Sequence, residues 1–164
     1  MTSILDAHSL AIRAHAGQID KSGQPYIRHL ERVANAAVAR AGRARSIDHI
    51  DLDPMTVMQA ALLHDILEDT ATTVGDLKAT GFGDEVLAMV RLLTKPKEKD
   101  AYSEMIDRII ASNNLGAILI KMSDNEDNLS PDRTLPDGEA SATRYRTAFG
   151  RLRDAAGALG YTGR

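Results

Sequence analysis

The segment at residues 53–67 limits the fold more than any other, because it is apolar on almost every side. It begins with Asp53 and Pro54, which predict a helix start with the aspartate as N-cap and the proline in the first turn. A helix without a polar face normally lies at the centre of a fold, enclosed by other helices. The apolar residues that give the segment this character are Val57, Ala60, Ala61, Leu63, Ile66 and Leu67.

Helical spacing of apolar residues recurs along the rest of the chain, and no segment alternates as a half-buried strand would. Gly42 is expected to end the second helix, and Thr73 with Asp76 predicts an N-terminal cap. The predicted helices are 5–15, 26–41, a central helix from 53 through 69, a short one after 73, then 84–93, 101–111, 115–127 and 139–159. We therefore predict an all-α fold, with residues 1–164 in a single domain.

The composition excludes several classes of protein and site. The sequence has no cysteine, which excludes disulfides and thiolate metal sites. A net charge of −3 argues against whole-molecule attraction to nucleic acid. The longest apolar stretches fall far short of the roughly 20 residues of a membrane span, and the N-terminus lacks a signal-peptide pattern. We expect a cytoplasmic protein without nucleic-acid or membrane partners, and these features leave its oligomeric state open.

Two histidines and two aspartates occur in apolar helical surroundings, where unpaired charge would be costly. Each alone is commonplace, and a lone His-Asp pair in a helix usually binds nothing. Together they predict one site for a divalent metal, and imidazole with carboxylate ligands but no thiolate makes Mn²⁺ the first choice. Glu68 and Asp69 follow one helical turn later, where they could act on a bound water. The candidate ligands are His29, His64, Asp65 and Asp124.

The order of these ligands resembles that of the HD superfamily of metal-dependent phosphohydrolases. Further motifs, spread over about residues 8–130, are similar to the hydrolase domain of the RelA/SpoT alarmone family. They are HAGQ at 15–18, KSGQPYIRH at 21–29, AALLHDILEDT at 60–70, FG at 82–83, LTK at 93–95 and IKMSD at 120–124. The resemblance implies an HD-type helical bundle without a synthetase domain, a stand-alone small alarmone hydrolase similar in architecture to the metazoan members.

The resemblance also implies a chemistry and the residues that perform it. The four candidate ligands would hold one Mn²⁺ per chain, and Glu68 and Asp69 would handle the attacking water. The substrates implied are guanosine tetra- and pentaphosphate, which lose their 3′-pyrophosphate. Cations that could bind the phosphates are Lys21, Lys95, Lys97, Lys99, Lys121, Arg144 and Arg146. Asn128 matches a family position expected to contact the ribose.

Two departures from the family pattern concern the recognition of the substrate. The family usually carries an arginine that stacks on guanine just before the lysine of the first loop, and here Asp20 precedes Lys21. A carboxylate can only accept hydrogen bonds, which both guanine and adenine could donate, so adenine alarmones such as ppApp become an alternative. The family often has a basic residue after the asparagine, whereas Leu129, Ser130 and Pro131 follow Asn128 here. Weaker phosphate contacts are expected from that turn.

Two other functions are consistent with the same residues. One is an HD-type phosphatase that acts on another nucleotide, such as NADPH or a nucleoside monophosphate. The other is a catalytically silent nucleotide-binding module that retains the metal. The complete ligand set and the intact pair of acids, Glu68 and Asp69, favour an enzyme over the silent module.

Overall fold

Helices form the framework of the protein in the computed structural model, which describes residues 1–98, 101–135 and 137–164. In chain order they are α1 (Ile4–Ala14), α2 (Ile27–Ser46), α3 (Pro54–Leu62), α4 (Ile66–Asp69), α5 (Val74–Thr80), α6 (Asp84–Leu93), α7 (Ala101–Ala111), α8 (Leu115–Asn128) and α9 (Glu139–Ala158). The described residues contain no sheet, and an isolated antiparallel bridge joins Ile19 to Pro25. The predicted all-α class is confirmed.

Helix α3 lies at the centre, as its apolar sequence predicts. It packs against α1, α2, α6 and α8, and α8 in turn packs against α2 and α9. Fully buried side chains of α3 and of the turn after it include Val57, Ala60 and Leu63. Helix α3 therefore leads from the core directly into the turn that carries His64 and Asp65, beside the helix α8 that carries Asp124. Within the described residues, no helix is long and apolar enough to cross a bilayer.

Helix starts with local sequence signals form as predicted. The Asp53 carboxylate accepts hydrogen bonds from the backbone N–H groups of Met55 and Thr56, and Pro54 occupies the first turn of α3. At α5, the Thr73 hydroxyl caps the N–H of Asp76 while the Asp76 carboxylate accepts from the N–H of Thr73. These caps need only residues three apart in sequence.

The predicted end of the second helix at Gly42 is wrong, because α2 continues to Ser46. Glycine inside a helix costs only about 1 kcal/mol relative to alanine. Burial of Ala41 and Ala44 against the core favours continuation and outweighs that cost. The chain turns away only after Ile47, where His49 adopts a left-handed backbone with φ of 57°.

The predicted continuous helix through the acidic residues is also wrong, because the helix is interrupted between Leu62 and Ile66. At the interruption, backbone bonds span three residues, from the N–H of His64 to the carbonyl of Ala61 and from Ile66 to Leu63. The Ala61 carbonyl also lies 2.7 Å from His64 Nδ1. In a regular α-helix the Ala61 carbonyl would accept the N–H of the residue four positions later. Here it lies against the imidazole of His64 and orients that side chain.

Gly116 allows α8 to lie close to the central layer. A Cβ at this position would lie 2.5 Å from the Sδ atom of Met89 in α6 and 3.3 Å from a methyl of Val57 in α3. Every residue from 115 to 125 is buried, so α8 is held on all sides along most of its length. This close approach fixes the helix that carries Asp124 against the one that precedes His64.

Candidate metal centre and adjoining pocket

The candidate metal ligands, although distant in sequence, converge on one point. His29 Nε2 lies 3.2 Å from Asp124 Oδ1, and His64 Nε2 lies 3.7 Å from the same oxygen. Ligand atoms of these three buried residues all lie within 4.8 Å of one another, a spacing that would suit one ion. Asp65 Oδ2 borders the same space, 3.1 Å from His64 Nε2 and 3.8 Å from His29 Nε2.

Both imidazoles are oriented through their other ring nitrogen. His64 Nδ1 lies 2.7 Å from the Ala61 carbonyl, and His29 Nδ1 lies 2.7 Å from Asp127 Oδ2. These oxygens can only accept, so each Nδ1 carries the proton and each Nε2 faces the cluster. His64 Nε2 is buried and lacks a hydrogen-bond partner among the described residues. A buried, unpartnered nitrogen beside two carboxylates is what a metal-binding histidine presents.

Asp124 is the electrostatic centre of the cluster. Its Oδ2 accepts from Lys121 Nζ at 2.7 Å, while its Oδ1 faces the imidazoles and accepts from Asn128 Nδ2 at 3.0 Å. Burial alone would raise the pKa of Asp124, but Lys121 and the two histidines outweigh it and hold the pKa well below its usual range. Lys121 is therefore committed to Asp124, although the sequence offered it as a phosphate-binding cation.

Tyr26 orients the second aspartate. Its hydroxyl donates to Asp65 Oδ2 at 2.6 Å, and its ring tilts against His29 with centroids 5.5 Å apart. Burial and the negative charge of Asp65 raise the pKa of the Tyr26 hydroxyl, so it stays a donor at neutral pH. His15 in turn stacks on the Tyr26 ring, with ring centroids 5.3 Å apart.

A pocket of about 370 Å³ opens from the cluster and contains most of the residues singled out in the sequence. Its volume is within the range of small-molecule sites. Lining residues predicted to act on a substrate are Asp20, Lys21, Glu68, Asp69, Lys95, Asn128 and Arg144. Lys97 does not line it, Arg146 pairs with Glu139, and Lys99 lies outside the described residues.

The acid pair on α4 lies at the rim of this pocket in two different environments. Glu68 Oε1 accepts the backbone N–H of Lys95 at 2.8 Å, which holds the carboxylate in place. Burial, together with the negative charges of Asp65 and Glu68, raises the pKa of Asp69 to about 6. A carboxyl with such a pKa can hold or release a proton near neutral pH.

The raised pKa of Asp69 predicts a gain in stability when its charge is removed. Ionised Asp69 destabilises the folded state above about pH 6, and this cost fades as the pH falls towards the ordinary value of 3.8. In metal-free protein at neutral pH, Asp69→Asn is expected to raise the free energy of unfolding by about 1 kcal/mol, allowing for solvent screening of a partly exposed carboxylate. Thermal unfolding should show a rise of about 2–4 °C.

The matched control for this stability measurement is Asp154→Asn, which neutralises an exposed carboxylate on α9. The gain from Asp69→Asn should shrink as the pH falls from about 6 to 3.8 and disappear below about pH 3, where the group is protonated in both the folded and the unfolded state. An equal melting temperature at neutral pH, or a lower one, would contradict the assigned electrostatic cost.

Asp20 is engaged by protein donors, although the sequence offered it as a free acceptor for a base edge. Its Oδ1 accepts the N–H groups of Ser22 and Gln24, and its Oδ2 faces Arg133 Nη1 at 3.3 Å. Arg133 also donates to Asn128 Oδ1 at 3.1 Å and lines the pocket. The turn after α8, from which weak phosphate contacts were expected, therefore places the guanidinium of Arg133 in the pocket wall.

Sequence reasoning missed two residues that the structure brings to the site. Asp127 accepts from His29 and from Arg32 at 2.6 Å, and Arg133 joins the first loop to the turn after α8. Asp127 follows Asp124 by three residues, and that helical spacing was an available signal. Nothing local marks Arg133, because its partner Asp20 is 113 residues away.

Arg144 forms the far wall with two tyrosines. Its guanidinium lies 4.9 Å from the ring centroid of Tyr102 and 5.3 Å from that of Tyr145. Such stacking keeps a long cationic side chain extended while its edge remains available for anions.

Two imidazoles and two carboxylates from α2, the break after α3, and α8 surround one point in an all-helical protein, an arrangement that could hold a divalent ion. Residues 7–124 match the family model described as "HD domain", and the chain belongs to the HD-domain family.

Two similar proteins have names that refer to (p)ppGpp, which is guanosine-3′,5′-bis(diphosphate) or its pentaphosphate form. The chain is 32% identical over 140 residues to the human protein named guanosine-3′,5′-bis(diphosphate) 3′-pyrophosphohydrolase MESH1, covering 82% of this chain and 73% of that protein. It is 34% identical over 131 residues to the Escherichia coli protein named bifunctional (p)ppGpp synthase/hydrolase SpoT, covering 75% of this chain. The chain spans only 17% of the length of SpoT.

A solved structure has the same fold. It is that of a metazoan ortholog of SpoT, described as hydrolysing ppGpp and playing a role in starvation responses. The match has a TM-score of 0.66 at 24% identity and covers 97% of this chain and 94% of the other. At this level of identity the likeness establishes the fold.

Proposed function

We propose that the protein is a metal-dependent 3′-pyrophosphohydrolase of nucleotide alarmones, (p)ppGpp or (p)ppApp, which releases pyrophosphate. The observation that carries this proposal is the convergence of His29, His64 and Asp124 at one end of a pocket edged by the acid pair and by cations. The names of the human and bacterial relatives support the same reaction.

The four candidate ligands fit a divalent cation, and we propose Mn²⁺. Support comes from the unpartnered Nε2 of His64 and from the mixture of imidazole and carboxylate donors. The residues that would hold it are His29, His64, Asp65 and Asp124. When bound, such an ion screens phosphate charge and makes a water molecule more acidic.

Glu68 and Asp69 would perform the proton transfers of hydrolysis. Glu68, fixed by the N–H of Lys95, would accept a proton from the attacking water as the water approaches the phosphorus. Asp69, at the rim of the same pocket, would supply a proton to the departing 3′-oxygen of the ribose. After the step Glu68 carries one more proton and Asp69 one fewer, and exchange with water restores both after the products leave.

The polar residues of the pocket would bind the remainder of the nucleotide. Lys21, Lys95 and Arg144 line the pocket and would attract the phosphates. Asn128, which lines the pocket and donates to Asp124, would contact the ribose. A single domain over residues 1–164 and a cytoplasmic location stay predictions from the sequence.

Asp127→Asn is expected to weaken Mn²⁺ binding by about 10–100-fold, because partners of metal-bound histidines typically contribute that much. His29 and Arg32 hold the pKa of Asp127 at about 2, so the group is a carboxylate at neutral pH and favours the Nδ1–H form of His29. Calorimetric titration of metal-free protein would measure the change. Asp132→Asn, in the exposed turn nearby, is the matched control, and equal affinities in the two variants would argue against this role.

The proposed reaction can be tested with a substrate panel. Mn²⁺-loaded protein would be incubated separately with ppGpp, ppApp and NADPH, and the products would be separated by anion-exchange chromatography. Pyrophosphate with GDP or ADP is the expected result. Orthophosphate released only from NADPH would replace the proposal with an HD-type phosphatase, and binding without turnover would indicate a silent module.

A further inference from the structure

Two distant loops are fastened together at one end of the pocket. The Ser22 hydroxyl donates to the carbonyl of Asp132 and accepts the N–H of Thr134, each at 3.0 Å. Residues 20–24 of the first loop thereby meet residues 132–134 of the turn after α8. The connection places Arg133 directly against the first loop, where family members are expected to carry their own arginine and this chain has Asp20.

The Arg133 guanidinium is held by its edge. Nη1 faces Asp20 Oδ2 at 3.3 Å and Asp127 Oδ2 at 3.7 Å, and Nη2 donates to Asn128 Oδ1 at 3.1 Å. Only 14% of its side chain is exposed, so its position is fixed on the wall of the pocket. With two carboxylates at its edge, it has little net charge left to attract a phosphate, while its planar face can still stack.

Asp20 is a positioning residue in this arrangement. Its side chain is only 4% exposed, and two backbone N–H groups of its own loop fix Oδ1. The other oxygen, Oδ2, is thereby directed at Arg133. The aspartate therefore sets the orientation of the arginine and has no free oxygen directed at a ligand.

Apolar side chains complete this end of the pocket. Ile19 is 66% exposed, which is unusual for an isoleucine, and it precedes Asp20 in the pocket wall. Leu135 follows Arg133 by two residues and lines the same pocket. A flat cation that shares a pocket wall with aliphatic groups forms a surface suited to an aromatic base, whereas Lys95 and the proposed metal ligands of the same pocket suit phosphates.

We propose that the purine base of the nucleotide stacks on the face of Arg133, which Asp20 holds in place. The inference rests on the proposed function for the identity of the ligand as a nucleotide. Because every purine offers a flat face, stacking does not distinguish guanine from adenine strongly. We therefore expect GDP and ADP to bind Mn²⁺-loaded protein with affinities within about tenfold of each other.

Equilibrium binding of GDP, ADP and inorganic pyrophosphate tests the proposal. Loss of one base–side-chain stack is expected to weaken GDP and ADP by about 10-fold in both Arg133→Met and Arg133→Lys, since lysine keeps the charge but lacks the flat face. The affinity for pyrophosphate, which has no base, should stay within about twofold of wild type in both variants. Arg153→Met, on the exposed face of α9, is the matched control.

A double-mutant cycle tests the role of Asp20. Asp20→Asn should weaken GDP binding in the wild-type background and have no further effect beside Arg133→Met, because the two residues act as one unit. Equal losses in both backgrounds would show that Asp20 acts independently of Arg133. Circular dichroism of each variant would verify the fold, and Arg133→Lys preserves the partner charge of Asp20.

Several outcomes would overturn the assignment. Wild-type GDP affinity in Arg133→Lys would mean that charge, and not stacking, matters, and an equal loss of pyrophosphate binding would make Arg133 a phosphate contact. If no alarmone is hydrolysed but GDP binding still depends on Arg133, the hydrolase reaction would be rejected and the base site retained. Turnover of ppGpp that Arg133→Met leaves unchanged would reject only the base site.

Discussion

His64→Asn is expected to weaken Mn²⁺ binding by more than about 100-fold, because loss of an outer partner alone already costs about 10–100-fold. Asparagine retains a polar group near the Ala61 carbonyl but removes the Nε2 atom that faces Asp124 and Asp65. When Mn²⁺ is limiting, the rate of hydrolysis should fall by at least the same factor as the metal affinity. Calorimetric titration with Mn²⁺ and pyrophosphate release from ppGpp would measure the two effects on the same preparation.

The control for this experiment is His49→Asn. It makes the same chemical change at an exposed position with a φ of 57°, a backbone conformation that asparagine tolerates. Circular dichroism would establish that both variants are folded. If metal affinity in His64→Asn stayed within about threefold of the control, the assignment of His64 as a ligand would be rejected.

Glu68→Gln is expected to lower kcat for pyrophosphate release by about 10²–10⁴-fold, the usual contribution of a positioned general base. Glutamine keeps an oxygen that can accept the Lys95 N–H, so the loop contact can persist while the proton acceptor is lost. Metal affinity should change by less than about threefold, because Glu68 lies outside the proposed ligand set. Steady-state kinetics at saturating Mn²⁺ would measure the change in kcat.

Glu104→Gln supplies the matched change on the exposed surface of α7, away from the pocket. Turnover by this variant should equal that of the wild type. Unchanged turnover in Glu68→Gln would assign the water-activating role elsewhere, and Asp69 would be the first residue to test.

Features with short-range causes were predictable from the sequence. The Asp53 cap of α3 and the reciprocal cap of Thr73 and Asp76 depend on neighbours within one turn, and both form as expected. The central position of α3 follows from its lack of a polar face, since no other place in a fold would remove it from water. The convergence of the candidate ligands was expected from their apolar helical surroundings and from the family resemblance, because spacing alone cannot join residues 29 and 124.

Features with long-range causes were not predictable. The interruption after Leu62 has no local breaker, since the segment is rich in leucine and alanine, and it accompanies the contact of His64 with Ala61. The extension of α2 past Gly42 reflects burial of Ala44, which a local propensity does not include. The Asp20–Arg133 contact spans 113 residues, so a single sequence gives no signal that these two side chains meet.

The buried cluster also links the folding of the chain to the supply of metal. His29, His64 and Asp124 belong to α2, the break after α3, and α8, three segments that unfolding would scatter. An ion that binds only the assembled cluster would stabilise the folded state by about 2.7 kcal/mol at a concentration 100 times its Kd. Scarcity of the ion would then act on the lifetime and abundance of the protein as well as on its turnover, since a marginally stable chain is cleared faster.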